Sequence, residues 1–205
     1  MITDLQLAEA CQATYSGAKQ SWGTETVHVY LSEIDGCQVL AFEGTQSAAE
    51  WVIDVLGALP CDTKLESDSL GTVHAGWYRD ICEIKDQLLD YIFAAPDGAR
   101  FAITGHSKGA AEALIFAAEC VENGIALERV TTFGTPHPGA LASYLATVPG
   151  ADYRNGADPV WDVPPYLPHP RGREQVFISI PAMPDDPWGP LAEHHMELYL
   201  VGARA

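Results

Sequence analysis

Ser107 stands in the pentapeptide Gly105-His106-Ser107-Lys108-Gly109, where a serine between two glycines is a group that chemistry can use. A serine hydroxyl is a poor nucleophile at neutral pH. It needs an imidazole to take its proton, and a carboxylate to hold that imidazole's tautomer and stabilise the imidazolium. Both residue types follow downstream. The acids in loop-like context are Asp152, Asp158, Asp162, Asp185 and Asp186, and the histidines are His137, His169, His194 and His195. Such a set could run acyl transfer if the fold brought one member of each type to the serine.

The elements around Ser107 are suited to that task. Phe101 to Thr104 is a short apolar, β-rich run, and Ala110 to Ala118 is rich in small helix formers that can pack close to a sheet. The stretch Arg100 to Ala118 therefore reads as strand, sharp turn and helix, the nucleophile elbow of an α/β hydrolase. In such an elbow the serine hydroxyl stands clear at the top of the sheet while the next residue's N–H points into the oxyanion hole. Gly105 and Gly109 fall where a Cβ would collide with the neighbouring strand or helix.

Further elements are expected on both sides. Thr3 or Asp4 can cap a first helix running to about Tyr15. Thr26 to Leu31 and Gln38 to Phe42 are β-rich runs joined through Asp35-Gly36, a tight-turn pair, and so form a hairpin. Ile81, Ile84, Leu88 and Tyr91 repeat at helical spacing. Arg129 to Phe133 is a strand, Pro138 opens a helix to about Thr147, Gln175 to Ile180 is a late strand, and a helix from about Ala192 closes the chain. Alternation of strand and helix through the middle predicts a mostly parallel sheet flanked by helices on both faces, with catalytic groups beyond the strands' carboxyl ends.

Composition bounds the rest. A chain of 205 residues fits one α/β domain, here spanning 1–205, and 47% hydrophobic with 19% charged residues is ordinary for a globular protein. Its 28 acids against 11 bases give a net charge of -17, which argues against nucleic acid and anionic membrane surfaces as partners. No apolar run has membrane-spanning length, so stable membrane insertion is not expected. The N-terminus MITDLQLAEACQ has acids where a secretory signal has a basic start, which points to a cytoplasmic location with secretion through a removed signal kept open. Five scattered cysteines without C-x-x-C spacing fit reduced, packed thiols. No metal or cofactor is expected, and the oligomeric state is not readable.

Six segments, in order, resemble the fungal-type (class 3) lipases, a branch of the α/β hydrolases. LAFEGTQSAAEW is similar to that family's strand ending in F-R-G-T/S before a tryptophan-bearing lid, and VHAGW to its V-H-x-G-F. GHSKG matches the elbow, and TTFGTPHPG resembles T-F-G-x-P-R-x-G. RNGADPVWDVPP resembles the segment with Asp-x-Val and proline, and EHHMELY the closing D-H-x-x-x-x-Y. The resemblance implies Ser107 as nucleophile, Asp158 as acid, His194 as base and the amides of Thr45 and Lys108 as oxyanion hole. Asp158 also follows Asn155-Gly156 in a turn, where a side chain can project from a strand end. Asp162 remains the competing acid and His195 the competing base.

Two positions depart from the family pattern. Glu43 stands where arginine is usual, and Lys108 where an apolar residue or glutamine commonly follows the serine; the two either form an ion pair that positions the oxyanion loop or stand as separate solvated charges. His137, in place of another arginine, reads as a structural loop residue. The stretch 47–57 is a short candidate lid, with Trp51, Val52 and Val55 on its apolar side as substrate-binding candidates. The implied activity is hydrolysis of short to medium chain acyl esters or glycerides through an acyl-enzyme. The alternatives are a hydrolase-like binding module without activity and an amide or peptide hydrolase.

Overall fold

A computed structural model of the chain describes residues 1–45, 64–67, 70–156, 158–169, 172–182, 186 and 189–204. The candidate lid at 47–57, with Trp51, Val52 and Val55, lies outside the described residues, as does Asp185.

Helix α1 (Asp4–Tyr15) starts at Thr3, whose hydroxyl accepts the Gln6 amide while the Gln6 side chain accepts the Thr3 amide. This reciprocal cap satisfies two donors that the first turn would otherwise leave open. The short strand β1 (Trp22–Gly23) pairs with β2 (His28–Ile34), which turns back into β3 (Cys37–Phe42) through Asp35 and Gly36 at φ 51° and 71°. Positive φ at both central residues is the turn that matches strand twist. A separate hairpin, β4 (Lys64–Ser67) and β5 (Gly71–His74), leads into α2 (Ala75–Phe93).

The chain then builds the parallel part of the sheet. Strand β6 (Arg100–His106) pairs with β3 on one side, and helix α3 (Lys108–Glu122) returns the chain to β7 (Arg129–Phe133) on the other. A four-residue helix α4 (Ala142–Leu145), strand β8 (Ala151–Asn155), strand β9 (Glu174–Ile178) and helix α5 (Met196–Ala203) complete it. The seven strands lie in the order β1-β2-β3-β6-β7-β8-β9, parallel from β3 onward.

Each face of the sheet carries its own core. On one face Trp77, Ile81, Ile84 and Leu88 of α2 and Leu114 and Phe116 of α3 pack over Leu40, Phe42, Ile103 and Val130. On the other, Ala8 and Cys11 of α1 meet Met196 and Tyr199 of α5 over Phe133 and Tyr153. Helix α3 is buried from Lys108 through Cys120, which is why its sequence is so rich in alanine.

Two expected helices differ. The helix expected from Pro138 is reduced to α4, because Gly139 takes φ 127° and bridges Val73, while the Pro138 carbonyl accepts the His74 amide. An extended backbone committed to β5 cannot also start a helical turn. The C-terminal helix is broken in two: a 3-10 turn covers Gly189–His194, His195 is extended at ψ 133°, and α5 begins at Met196.

Candidate active site

Ser107 sits between β6 and α3 with φ 59° and ψ -131°. A non-glycine residue in that region stores roughly 1–3 kcal/mol, which persists only where the surroundings enforce it. The enforcement is visible. The Ser107 amide donates to the last carbonyl of β7, Phe133 O, at 3.0 Å. A Cβ on Gly105 would lie 2.3 Å from Gly109 O, and one on Gly109 would lie 2.4 Å from Phe42 O, so both flanking glycines are required for the turn to close.

Asp158 follows β8, in the turn where its own amide donates to Asn155 O at 2.9 Å. One carboxylate oxygen accepts the Val160 amide at 2.9 Å, and the other faces His194 Nδ1 at 2.7 Å and also accepts from the Tyr199 hydroxyl. Burial pushes this carboxyl up, but the His194 ring and the Tyr199 and Val160 donors outweigh it and hold Asp158 below the ordinary carboxylate value. A carboxylate at Nδ1 requires the proton there, which leaves the Nε2 lone pair facing away from Asp158. Ser107, Asp158 and His194 are each 1% exposed or less. Within the described residues, Ser107 Oγ and His194 Nε2 are buried without hydrogen-bond partners.

A second histidine supports the first. His106 lies over His194, with ring centroids 4.5 Å apart, and its Nε2–H donates to the His194 carbonyl at 2.7 Å. The Tyr15 hydroxyl lies 2.8 Å from His106 Nδ1 and donates to it, so one neutral tautomer satisfies both contacts. Burial, followed by the neighbouring His194, drives the His106 pKa well below its ordinary value, consistent with that neutral ring. Gly134, at the end of β7, completes the wall: a Cβ there would lie 2.7 Å from His194 Cε1 and 3.0 Å from Asp158 Oδ2.

The competing groups have partners of their own. Asp162 is exposed and pairs with Arg154 at 3.1 Å, while Asp152 is buried against Arg173 at 2.9 Å. His195 Nε2 faces Asp186 at 3.1 Å. His137 holds a loop, its Nδ1 2.7 Å from Leu167 O and 3.1 Å from Pro164 O, and His169 stacks on Trp161.

The loop after β3 lies against the elbow so closely that a Cβ on Gly44 would come within 3.0 Å of Ser107 Cβ. This places Thr45, whose hydroxyl is buried without a partner among the described residues, beside a small cavity of about 170 Å³ that is also lined by Tyr15, His106, His194 and His195. Lys108 is the first residue of α3, so its amide is among those that no earlier carbonyl of the helix can reach.

An ion pair between Glu43 and Lys108 is not formed. Glu43 accepts from His28 Nδ1 at 2.8 Å and from the Tyr30 hydroxyl at 3.0 Å, because the end of β3 lies opposite β2. The Lys108 ammonium turns to Asp80 Oδ2 at 3.0 Å, to Glu112 and to the Thr26 carbonyl. The i,i+4 spacing of Lys108 and Glu112 was the sequence signal for that partner. A cleft of about 590 Å³ runs past Thr45 and Lys108, and its described walls include Glu25, His28, Glu43 and Asp80.

Comparison with known proteins follows the same outline. The family model for lipase (class 3) matches residues 39–166. Secreted mono- and diacylglycerol lipase 1 of Fusarium solani is 28% identical over 137 residues, which cover 63% of this chain and 40% of that protein. The chain thus spans less than half the length of that relative. In fold it is similar to the triacylglyceride lipase of Rhizomucor miehei (TM-score 0.65, 21% identity, 78% of this chain and 64% of that one). It is likewise similar to a mutant form of MDLA from Penicillium cyclopium (TM-score 0.62, 20% identity, 85% and 68%). With the α/β-hydrolase sheet in place and more than half its length matched by the family model, this chain belongs to the class 3 lipase family.

Proposed function

We propose that the protein is a serine carboxylic-ester hydrolase in which Ser107, His194 and Asp158 act in sequence. The observation that carries this reading is the 2.7 Å contact of His194 Nδ1 with buried Asp158, combined with His194 Nε2 and Ser107 Oγ, both buried and without a hydrogen-bond partner among the described residues. His194 Nε2 takes the Ser107 proton as Oγ adds to the ester carbonyl. The amides of Thr45 and Lys108 receive the charge that develops on the carbonyl oxygen. His194 then returns the proton to the departing alcohol, leaving an acyl-enzyme that water releases by the same steps in reverse.

The substrates proposed are short to medium chain acyl esters or glycerides. The charged groups along the described walls of the cleft, Glu25, Glu43, Asp80 and Lys108, support this range, since they interrupt the apolar surface that a long acyl chain would need. Among the described residues no helix is long and apolar enough to cross a membrane. The secretion route kept open by the sequence fits the Fusarium relative, which is named as secreted; the expected cytoplasmic location has no counterpart in the comparisons.

The test is turnover of p-nitrophenyl butyrate. Ser107→Ala should abolish it while the folded spectrum persists, and the unmodified protein should keep its rate in EDTA. An active Ser107→Ala protein overturns the assignment.

A further inference from the structure

Lys108 breaks two local rules. A cation in the first turn of a helix opposes the helix dipole, and a buried ion pair commonly contributes less than apolar residues of the same volume. Yet the Lys108 residue is only 9% exposed, and its partner Glu112 is fully buried. The ammonium gathers Asp80 from α2, Glu112 one turn along α3, and the Thr26 carbonyl from the loop before β2. Asp80 is tied a second time to that loop, accepting from Thr26 Oγ1 at 2.8 Å. One side chain therefore fastens three elements around the residue that follows Ser107.

Otherwise the backbone there is held by the Ser107 amide on Phe133 O and by the close approach of Gly109 to Phe42 O. Gly109 comes next and has no side chain to anchor, and Ser107 is held in a strained conformation that would relax if its neighbours let go. We propose that Lys108, Asp80 and Glu112 form a positioning brace that fixes the Lys108 peptide plane, so that its amide meets the oxyanion as the charge develops. This rests on the serine-hydrolase reading above and adds to it the means by which the amide is held. Asp80 and Glu112 are positioning residues, acting through Lys108.

The experiment separates positioning from stability. Lys108→Met/Glu112→Leu replaces the buried pair with apolar side chains while Asp80 keeps its contact with Thr26 Oγ1, so it should cost less thermal stability than Lys108→Met alone. The expected result is a fall in kcat of roughly 10- to 100-fold with KM within about twofold, the scale of a misplaced catalytic group. Affinity for a trifluoromethyl ketone analogue of the ester, whose adduct presents an oxyanion, should fall by the same factor as kcat/KM. If the double variant does not fold, Asp80→Asn, which retains the Lys108–Glu112 contact, is read for the same two quantities, with a smaller loss expected in both. Unchanged kcat, or reduced kcat with unchanged analogue affinity, overturns the brace. Absence of turnover in the unmodified protein would instead strike the hydrolase reading beneath it.

Discussion

The two halves of the site are held by different forces. Around His194 the contacts are directional hydrogen bonds: Asp158 to Nδ1, Tyr199 and the Val160 amide to Asp158, His106 to the His194 carbonyl, and Tyr15 to His106. Around Ser107 the means are backbone strain, close glycine packing and a buried ionic cluster at Lys108. In the proposed mechanism the difference follows from what each half must preserve. An imidazole has two faces and two tautomers, so hydrogen bonds must select one. A backbone amide has a fixed donor and needs only its plane held.

The largest effect that would sharpen this contrast is on the acid. Asp158→Asn keeps the shape but allows the amide to favour the wrong His194 tautomer, and should lower kcat by about 10⁴-fold. Asp162→Asn, at an exposed residue paired with Arg154, should stay near the unmodified rate. The reverse ranking in steady-state kinetics would show that the acid has been placed on the wrong residue.

That choice also shows where sequence reasoning reaches its end. The elbow was legible because Gly105, Ser107 and Gly109 meet steric demands that few other residues satisfy, with a β-rich run before them and small helix formers after. The hairpin was legible from Asp35-Gly36 for the same reason. Asp158 was singled out chiefly through family resemblance, since a turn aspartate capping a helix looks the same whether or not a histidine waits beyond it, and Asp158 does accept the Val160 amide. His194 and His195 could not be separated by periodicity, because the chain leaves helical geometry between them. Glu43 was misassigned because its partners, His28 and Tyr30, come from the neighbouring strand. Gly134, His106 and Tyr15 carried no signal of their own, since their roles depend on the approach of elements distant in the chain.

A smaller effect is expected at Tyr199. Its hydroxyl donates to Asp158 and accepts the Asn155 amide at 3.1 Å. Tyr199→Phe removes both contacts and leaves a buried N–H unpaired, so it should lower stability by about 1–3 kcal/mol. It should reduce kcat by roughly tenfold, far less than Asp158→Asn, because the Asp158–His194 contact remains. Thermal melts and kinetics on the same preparation check both; a loss as large as that of Asp158→Asn would make Tyr199 an equal member of the acid–base half.

The last effect belongs to the elbow half and is read by pH. Burial raises Glu112 to about 8, so at neutral pH its contact with the Lys108 ammonium is made by a protonated carboxyl while Asp80 carries the negative charge, and the folded protein keeps a proton that the unfolded chain releases near the ordinary value of 4.5. Stability contributed by that proton is lost as pH rises from about 5 to 8. Buried His74, lowered to about 4, works in the opposite direction, adding stability as pH rises toward 6.5. The raised Lys108 ammonium titrates above this window. Comparison with Glu112→Gln isolates the first contribution: the unmodified protein should lose ground to the variant by about 1.4 kcal/mol per pH unit at most. Chemical denaturation at pH 5, 6.5 and 8 measures it, and a difference that does not change with pH would contradict the shift.

Labelling with a fluorophosphonate probe, followed by peptide mapping, tests the central claim most directly, because covalent capture requires a working nucleophile, base and oxyanion site together. The account predicts label on Ser107 alone, at a rate cut by orders of magnitude in His194→Ala and little altered in His195→Ala. Label on another residue, or equal labelling of Ser107 without His194, would contradict it.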